Sequence, residues 1–151
     1  MTDKELLVKK IENGTVIDHI SAGRGLKVVQ IAGLGSENKE TIILLINVSS
    51  KKLGKKDIVK IENRELTREE IDKISLITPD ATINVVRNGE VVEKKVLEIP
   101  DTIEKILRCP NSNCITNENE PVKTKFEIQK EPLKLKCCYC ERNFDIEEFK
   151  I

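Results

Sequence analysis

Apolar positions along the first hundred residues switch between a period of two and a period of about 3.6, and the switches mark out a series of strands and helices. Leu7 to Ile11, the turn Glu12-Asn13-Gly14 and then Thr15 to Ile17 read as strand and turn. Across residues 22–33, Leu26, Val28, Val29, Ile31 and Ala32 make an apolar face at helical spacing that ends at Gly33. Thr41 to Val48 is nearly all β-branched or leucine, which predicts a strand buried on both faces. Ser49 to Lys56 predicts a loop, and Asp57 to Ile61 another strand, in which Lys60 projects from the face opposite Val59 and Ile61. Thr67-Arg68-Glu69-Glu70 has the capping-box pattern and opens a helix through Ile71, Ile74 and Ile77 that stops before Pro79. Ala81 to Arg87 and Val91 to Leu97 flank Asn88-Gly89, the signal of a type I′ hairpin. The order β-α-β-β-α-β plus one added strand predicts an α+β fold, a ferredoxin-like sandwich of antiparallel sheet and two helices.

Near residue 100 the chain changes character. Every cysteine lies at or beyond Cys109, and every aromatic residue (Phe126, Tyr139, Phe144, Phe149) lies beyond it. Two domains follow, residues 1–99 with an aliphatic core and residues 100–151 as connector and small β zinc ribbon. In the connector, Pro100 is expected to open a short helix with Ile103, Ile106 and Leu107 on one face, packed rather than floppy because Gly and Ser are missing. Cys109-Pro-Asn-Ser-Asn-Cys114 and Cys137-Cys-Tyr-Cys140 supply a C-x₄-C and a C-x₂-C, each able to bend around one ion with backbone N–H groups facing the thiolates. The spacing predicts one structural Zn²⁺ held by Cys109, Cys114, Cys137 and Cys140, with disulfides or free thiols as the bland alternative. Cys137 and Cys140 are preferred because C-x₂-C closes a knuckle; exchange of Cys138 for Cys137 is the variant of this assignment. A tail this short needs a metal to supplement its core.

Charge narrows the partners. Lys and Arg number 26, as do Asp and Glu, so no net charge favours nucleic acid or an anionic membrane. No apolar run approaches the ~20 residues of a membrane span, and the amino terminus lacks a signal-peptide pattern, so a cytoplasmic protein is expected. From Cys109 onward seven basic residues meet eight acidic ones. A thiolate-bound zinc brings that segment to about −3, a poor ligand for phosphates. The alternative function, a zinc-ribbon nucleic-acid-binding or transcription-associated protein, is disfavoured on that ground, and a protein contact module is the better reading. The aromatic residues are expected in the core. The basic loop Lys51 to Lys56 lacks a Walker pattern. On spacing alone, the sole histidine, His19, is a strand-end residue with no catalytic partner.

The ordered strings Gly14-Thr-Val-Ile-Asp-His-Ile20, Gly54-Lys-Lys-Asp57, Lys60-Ile-Glu-Asn63, Ala81-Thr-Ile-Asn84, Cys109-Pro-Asn-Ser-Asn-Cys-Ile115, Glu120-Pro-Val122 and Leu135-Lys-Cys-Cys-Tyr-Cys-Glu141 resemble the regulatory chain of aspartate carbamoyltransferase across the whole length. The resemblance implies a noncatalytic allosteric subunit for pyrimidine biosynthesis. Its first domain would bind nucleotide effectors, with CTP and ATP leading, and pair with a second regulatory chain. Its zinc domain would bind the catalytic chain, so that dimers bridge catalytic trimers. It further implies that Asp18 and Lys60 meet ribose, that His19 and Lys94 meet phosphate, and that Val8, Ile11 and Val86 line the base region with Asn84 nearby. Position 89 is Gly where better-known members carry a larger residue beside the base, so base selectivity is open.

Overall fold

The computed structural model of the chain describes residues 10–31, 39–51, 54–118 and 122–149. Residues 7–9 of the expected first strand, including Val8, and the expected helix end at Gly33 lie outside these; Lys10 and Ile11 belong to no strand. The chain divides into two compact units, Met1–Leu97 and Glu98–Ile151.

The first unit runs β1 (Gly14–Ser21), α1 (Gly25–Ile31), β2 (Ile42–Ser50), β3 (Gly54–Glu62), α2 (Arg68–Ile77), β4 (Thr82–Arg87) and β5 (Glu90–Val96). The strands form one antiparallel sheet in the order β2-β3-β1-β4-β5, the ferredoxin-like arrangement with β5 added at one edge. Alternation along the strands sorts the side chains. Ile17, Val59, Ile61, Ile83 and Val85 are buried and supply the core together with Val28 and Ile31 of α1 and Ile74 and Ile77 of α2. Val16, Lys60 and Asn84 point the other way and are half-buried. Helix α2 begins with the expected capping box: Thr67 Oγ1 accepts from the Glu70 N–H at 3.2 Å, and Glu70 Oε1 accepts from the Thr67 N–H at 2.9 Å. The β4–β5 turn places Asn88 (φ 53°) and Gly89 (φ 78°) both in the left-handed region, as a type I′ hairpin requires.

Strand β2 departs from the expectation of burial on both faces. Among the described residues it is an edge strand with one neighbour, Leu44 and Leu45 are half-buried, and Ile46 is 55% exposed. An uninterrupted apolar run marks a surface that needs cover, and composition alone cannot tell a central strand from an uncovered edge. β2 also extends to Ser50 and β3 starts at Gly54, so strands take up most of the expected loop over 49–56.

Both strands flanking β3 bulge at the same level. Ile17 pairs with Val59 and Ile20 with Asp57, so β1 carries an extra residue there; Leu45 pairs with Ile58 and Val48 with Lys56, so β2 does too. His19 (φ 57°) and Asn47 (φ 60°) take the left-handed conformation within the two bulges.

The second unit contains β6 (Thr102–Glu104), β7 (Lys125–Lys130), β8 (Leu133–Cys137) and β9 (Asn143–Phe144) as an antiparallel sheet in chain order, with 3-10 turns at Ile115–Asn117 and Ile146–Glu148. The short helix expected after Pro100 is absent. The β-branched pair Thr102-Ile103 instead adds to β7 with Ile103 opposite Phe126, and Lys105 (φ 67°) follows in a conformation no helix continues. Ile103 and Leu107 are buried all the same, so strand pairing satisfies the burial that the helical spacing had suggested. Phe126, Phe144 and Phe149 form the centre: Phe149 meets Phe126 edge-on at 5.1 Å between centroids and Phe144 at 5.9 Å. Three of the four aromatic residues are core, as expected; Tyr139 is 49% exposed.

Candidate functional site

In the second unit the two cysteine segments converge. The Sγ atoms of Cys109, Cys114, Cys137 and Cys140 all lie within 4.8 Å of one another. Cys109 to Cys140 is 3.8 Å and Cys114 to Cys137 is 3.7 Å. Four thiolates at about 2.3 Å from one ion sit about 3.8 Å apart in a tetrahedron, whereas a disulfide needs about 2.05 Å. The donor set therefore fits tetrahedral zinc, and Cys138 is outside it.

Local hydrogen bonds explain why the chain presents these sulfurs. The Cys114 N–H donates to Asn111 O at 3.0 Å, closing the first knuckle, and the Glu141 N–H donates to Cys137 O at 2.9 Å, closing the second with Glu141 at φ 61°. Backbone N–H groups of Asn111, of Tyr139 and Cys140, and of Arg142 face the sulfurs of Cys109, Cys137 and Cys140 respectively. Burial pushes the Cys109 and Cys137 thiols up. Burial also opposes ionisation of Cys140, but the Arg142 N–H and the Asn111 side chain outweigh it and bring that thiol down to about 7. Cys109, Cys114, Cys137 and Cys140 would hold the zinc as thiolates, which would tie the ribbon's fold to the metal. Sequence spacing did not single out the supporting shell. Asn117 donates through Nδ2 to the carbonyls of Cys109 (2.9 Å) and Asn111 (2.6 Å), and the Thr116 hydroxyl donates to Cys114 Sγ at 3.1 Å.

In the first unit, register aligns several of the expected nucleotide residues. Lys60 on β3 and Asn84 on β4 both sit directly opposite Val16 of β1, and Lys94 on β5 sits opposite Asn84. Directly opposed residues share a face. The row Lys60-Val16-Asn84-Lys94 therefore crosses the helix-free face over three strand spacings, about 14 Å. Asp18 lies two residues along β1 on the same face, opposite Thr82. Alternation would send His19 to the other face, but its left-handed bulge conformation brings Nδ1 to 3.2 Å from Thr82 Oγ1. Val86 is buried opposite Gly14 and Val91, and Ile11 is buried just before β1. Val8 lies outside the described residues.

Asp18 has a partner that the sequence gave no reason to choose. Lys56 Nζ is 2.9 Å from Asp18 Oδ1, which also accepts the His19 backbone N–H at 2.6 Å. Burial raises the carboxyl, but Lys56 and the His19 N–H outweigh it and hold Asp18 below its ordinary value of 3.8. Lys56 reads in sequence as one of several loop lysines; only the start of β3 at Gly54 makes it a strand residue, facing Asp18.

The fold and the thiolate centre define a class: a ferredoxin-like unit followed by a metal-binding β ribbon. Residues 6–98 match the family model of the aspartate carbamoyltransferase regulatory chain, allosteric domain, and residues 101–150 match that of the same chain's metal binding domain. Aspartate carbamoyltransferase regulatory chains from Pyrococcus abyssi and Methanocaldococcus jannaschii are each 57% identical, over 146 and 140 residues, covering 95% and 92% of both sequences in each comparison. That from Pyrococcus furiosus is 54% identical over 145 residues. The chain belongs to the aspartate carbamoyltransferase regulatory chain family, a noncatalytic subunit with one structural zinc. The comparisons support this reading and not the nucleic-acid-binding zinc ribbon. Among the described residues no helix is long and apolar enough to cross a membrane.

Proposed function

We propose that the helix-free face of the first unit binds nucleoside triphosphates, with CTP and ATP in competition, and that the zinc ribbon docks the chain on the aspartate carbamoyltransferase catalytic chain. Lys94 and His19 face phosphate, Asp18 and Lys60 face ribose, and Ile11, Val86 and Val8 line the base with Asn84 beside them. The observation that carries the reading is the cross-strand row of Lys60, Val16, Asn84 and Lys94, with Asp18 and His19 gathered on the same side. Two cations spaced across a sheet face suit an extended polyanion. The cytoplasm, where the pyrimidine pathway would be controlled, is the expected setting.

A second regulatory chain pairs through β2. That edge offers nine residues, Ile42 to Ser50, without a single charge, whereas four of the seven residues of β5 are charged. Such dimers then bridge catalytic trimers. A bound nucleotide alters catalysis only through different affinities for two states of the assembly.

Calorimetry of the zinc-loaded chain with CTP tests the site. Wild type should bind, ATP should compete, and Lys94→Ala and Lys60→Ala should each weaken CTP by roughly 10- to 150-fold, the worth of one charge-assisted hydrogen bond. No binding by wild type at millimolar CTP, or unchanged affinity in Lys94→Ala, would overturn the assignment.

A further inference from the structure

The buried face of β3 carries a carboxylate that the nucleotide site does not use. Asp57 is 1% exposed, and among the described residues it accepts backbone N–H groups from three places. Oδ2 takes those of Gly23 (3.0 Å) and Gly25 (2.9 Å), in the turn that leaves β1, and Oδ1 takes that of Asn47 (3.0 Å), in the β2 bulge. Gly25 leaves room for this group and for Leu44: a Cβ there would lie 2.8 Å from Leu44 Cδ1 and 2.9 Å from both Asp57 Cβ and Asp57 Oδ2. One side chain thus ties the two strands that bulge on either side of β3. Its backbone also pairs with Ile20, the first residue after the β1 bulge to regain register.

We propose that Asp57 is the positioning residue for His19, and that it links the orientation of that imidazole to the bulge at the β2 edge. The argument is one of register. A bulge keeps its place only where something holds the residues beyond it, because a one-residue slip turns every later side chain to the other face. Residues 20–25 are held on Asp57, and Ser21 is additionally fixed by its N–H to Thr78 Oγ1 at 3.1 Å. With that segment anchored, His19 must take up the extra residue at φ 57° and reach Thr82. Because the same carboxylate holds Asn47, a shift of the edge bulge is felt by the turn that follows β1. The nucleotide consequences rest on the effector-site reading above; the histidine geometry does not.

The test uses the full zinc-loaded chain, in which His19 is the sole histidine, so its Cε1–H proton gives a single assignable resonance. Asp57→Asn replaces one acceptor oxygen by a donor, and Gly25→Ala presses on both the Asp57 side chain and Leu44 while keeping the carboxylate's charge. In both variants the His19 resonance should move toward that of an unconstrained histidine with zinc content unchanged. CTP affinity should fall by about 10-fold in Asp57→Asn. If Asp57 acts through His19, Asp57→Asn made in a His19→Ala background should cost almost nothing further. An unmoved resonance in a folded variant, or losses that add in the double variant, overturns the proposal. Should wild type bind no CTP, the effector reading fails and the resonance still decides the role of Asp57; should Asp57→Asn not fold, Gly25→Ala decides it.

Discussion

Removing the zinc should unfold the second unit and leave the first intact, and this chain carries its own reporters for the difference. The sulfurs of Cys109, Cys114, Cys137 and Cys140 converge within 4.8 Å and are positioned by knuckles with four and two residues between their cysteines. Besides the cysteines, the buried apolar side chains described in this unit are few: Ile103, Leu107, Phe126, Leu135, Phe144, Ile146 and Phe149. A core of that size rarely supplies more than about 3–5 kcal/mol, while structural zinc contributes about 10–16 kcal/mol of apparent binding free energy near pH 7. The ion therefore outweighs the whole margin of the ribbon. The assay is titration of the chain with a thiol-reactive mercurial, following released zinc with a chromogenic chelator. Tyr139 is the only tyrosine, tryptophan is absent, and no aromatic residue precedes Cys109, so near-ultraviolet signals report the second unit alone. Tyr139 fluorescence and near-ultraviolet dichroism should change in step with zinc release. Far-ultraviolet dichroism should keep the helical signal of α1 and α2. Aromatic signals unchanged after one full equivalent of zinc has left would refute the reasoning, because the ribbon would then stand on its core alone.

Other outcomes follow from single residues. Cys138→Ser should retain one zinc per chain by elemental analysis, since Cys138 stands outside the four-sulfur cluster; loss of the metal would show the ligand assignment wrong. Asp18 is held below its ordinary 3.8 in the folded chain, so its contribution to stability is present above that value and disappears as pH falls through the lowered one. Lys56→Met removes the cation responsible and should move the acid limb of the unfolding curve to higher pH, by an amount equivalent to less than about 1 kcal/mol because the pair is partly exposed.

Periodicity found the elements whose signals are local. The α2 capping box and the Asn88-Gly89 turn are determined by residues a few positions apart, and both formed as expected. The four cysteines were legible for the same reason: each knuckle is a local structure, and metal chemistry fixes the rest. The misreadings have a common origin in long-range pairing. Thr102-Ile103 has helical spacing with Ile106 and Leu107, but the free edge of β7 recruits it as a strand. Thr41 to Val48 reads as a sheet centre because apolarity records that a surface will be covered without recording by what. Lys56, Thr82 and Asp57 went unselected because their importance lies in partners far along the chain: Asp18 across the β1–β3 pair, His19 in a bulge, and the N–H groups of Gly23, Gly25 and Asn47. Neither bulge has a composition signal, since an extra residue in a strand shows only in its register against a neighbour.

The unlike edges of the first sheet bear on how far assembly can go. An antiparallel strand that pairs with its own copy does so about a two-fold axis, each partner presenting the same patch to the other. Joining two chains through β2 in this way uses up both apolar edges at once and leaves a β5 strand at either end of a ten-stranded sheet. Those terminal strands carry Glu90, Glu93, Lys94 and Lys95, charges that an added strand would have to desolvate. Under the proposed pairing, growth beyond two chains would meet only these charged edges. A closed pair is what a linker between larger oligomers requires, because a sheet that kept adding copies would form a fibre.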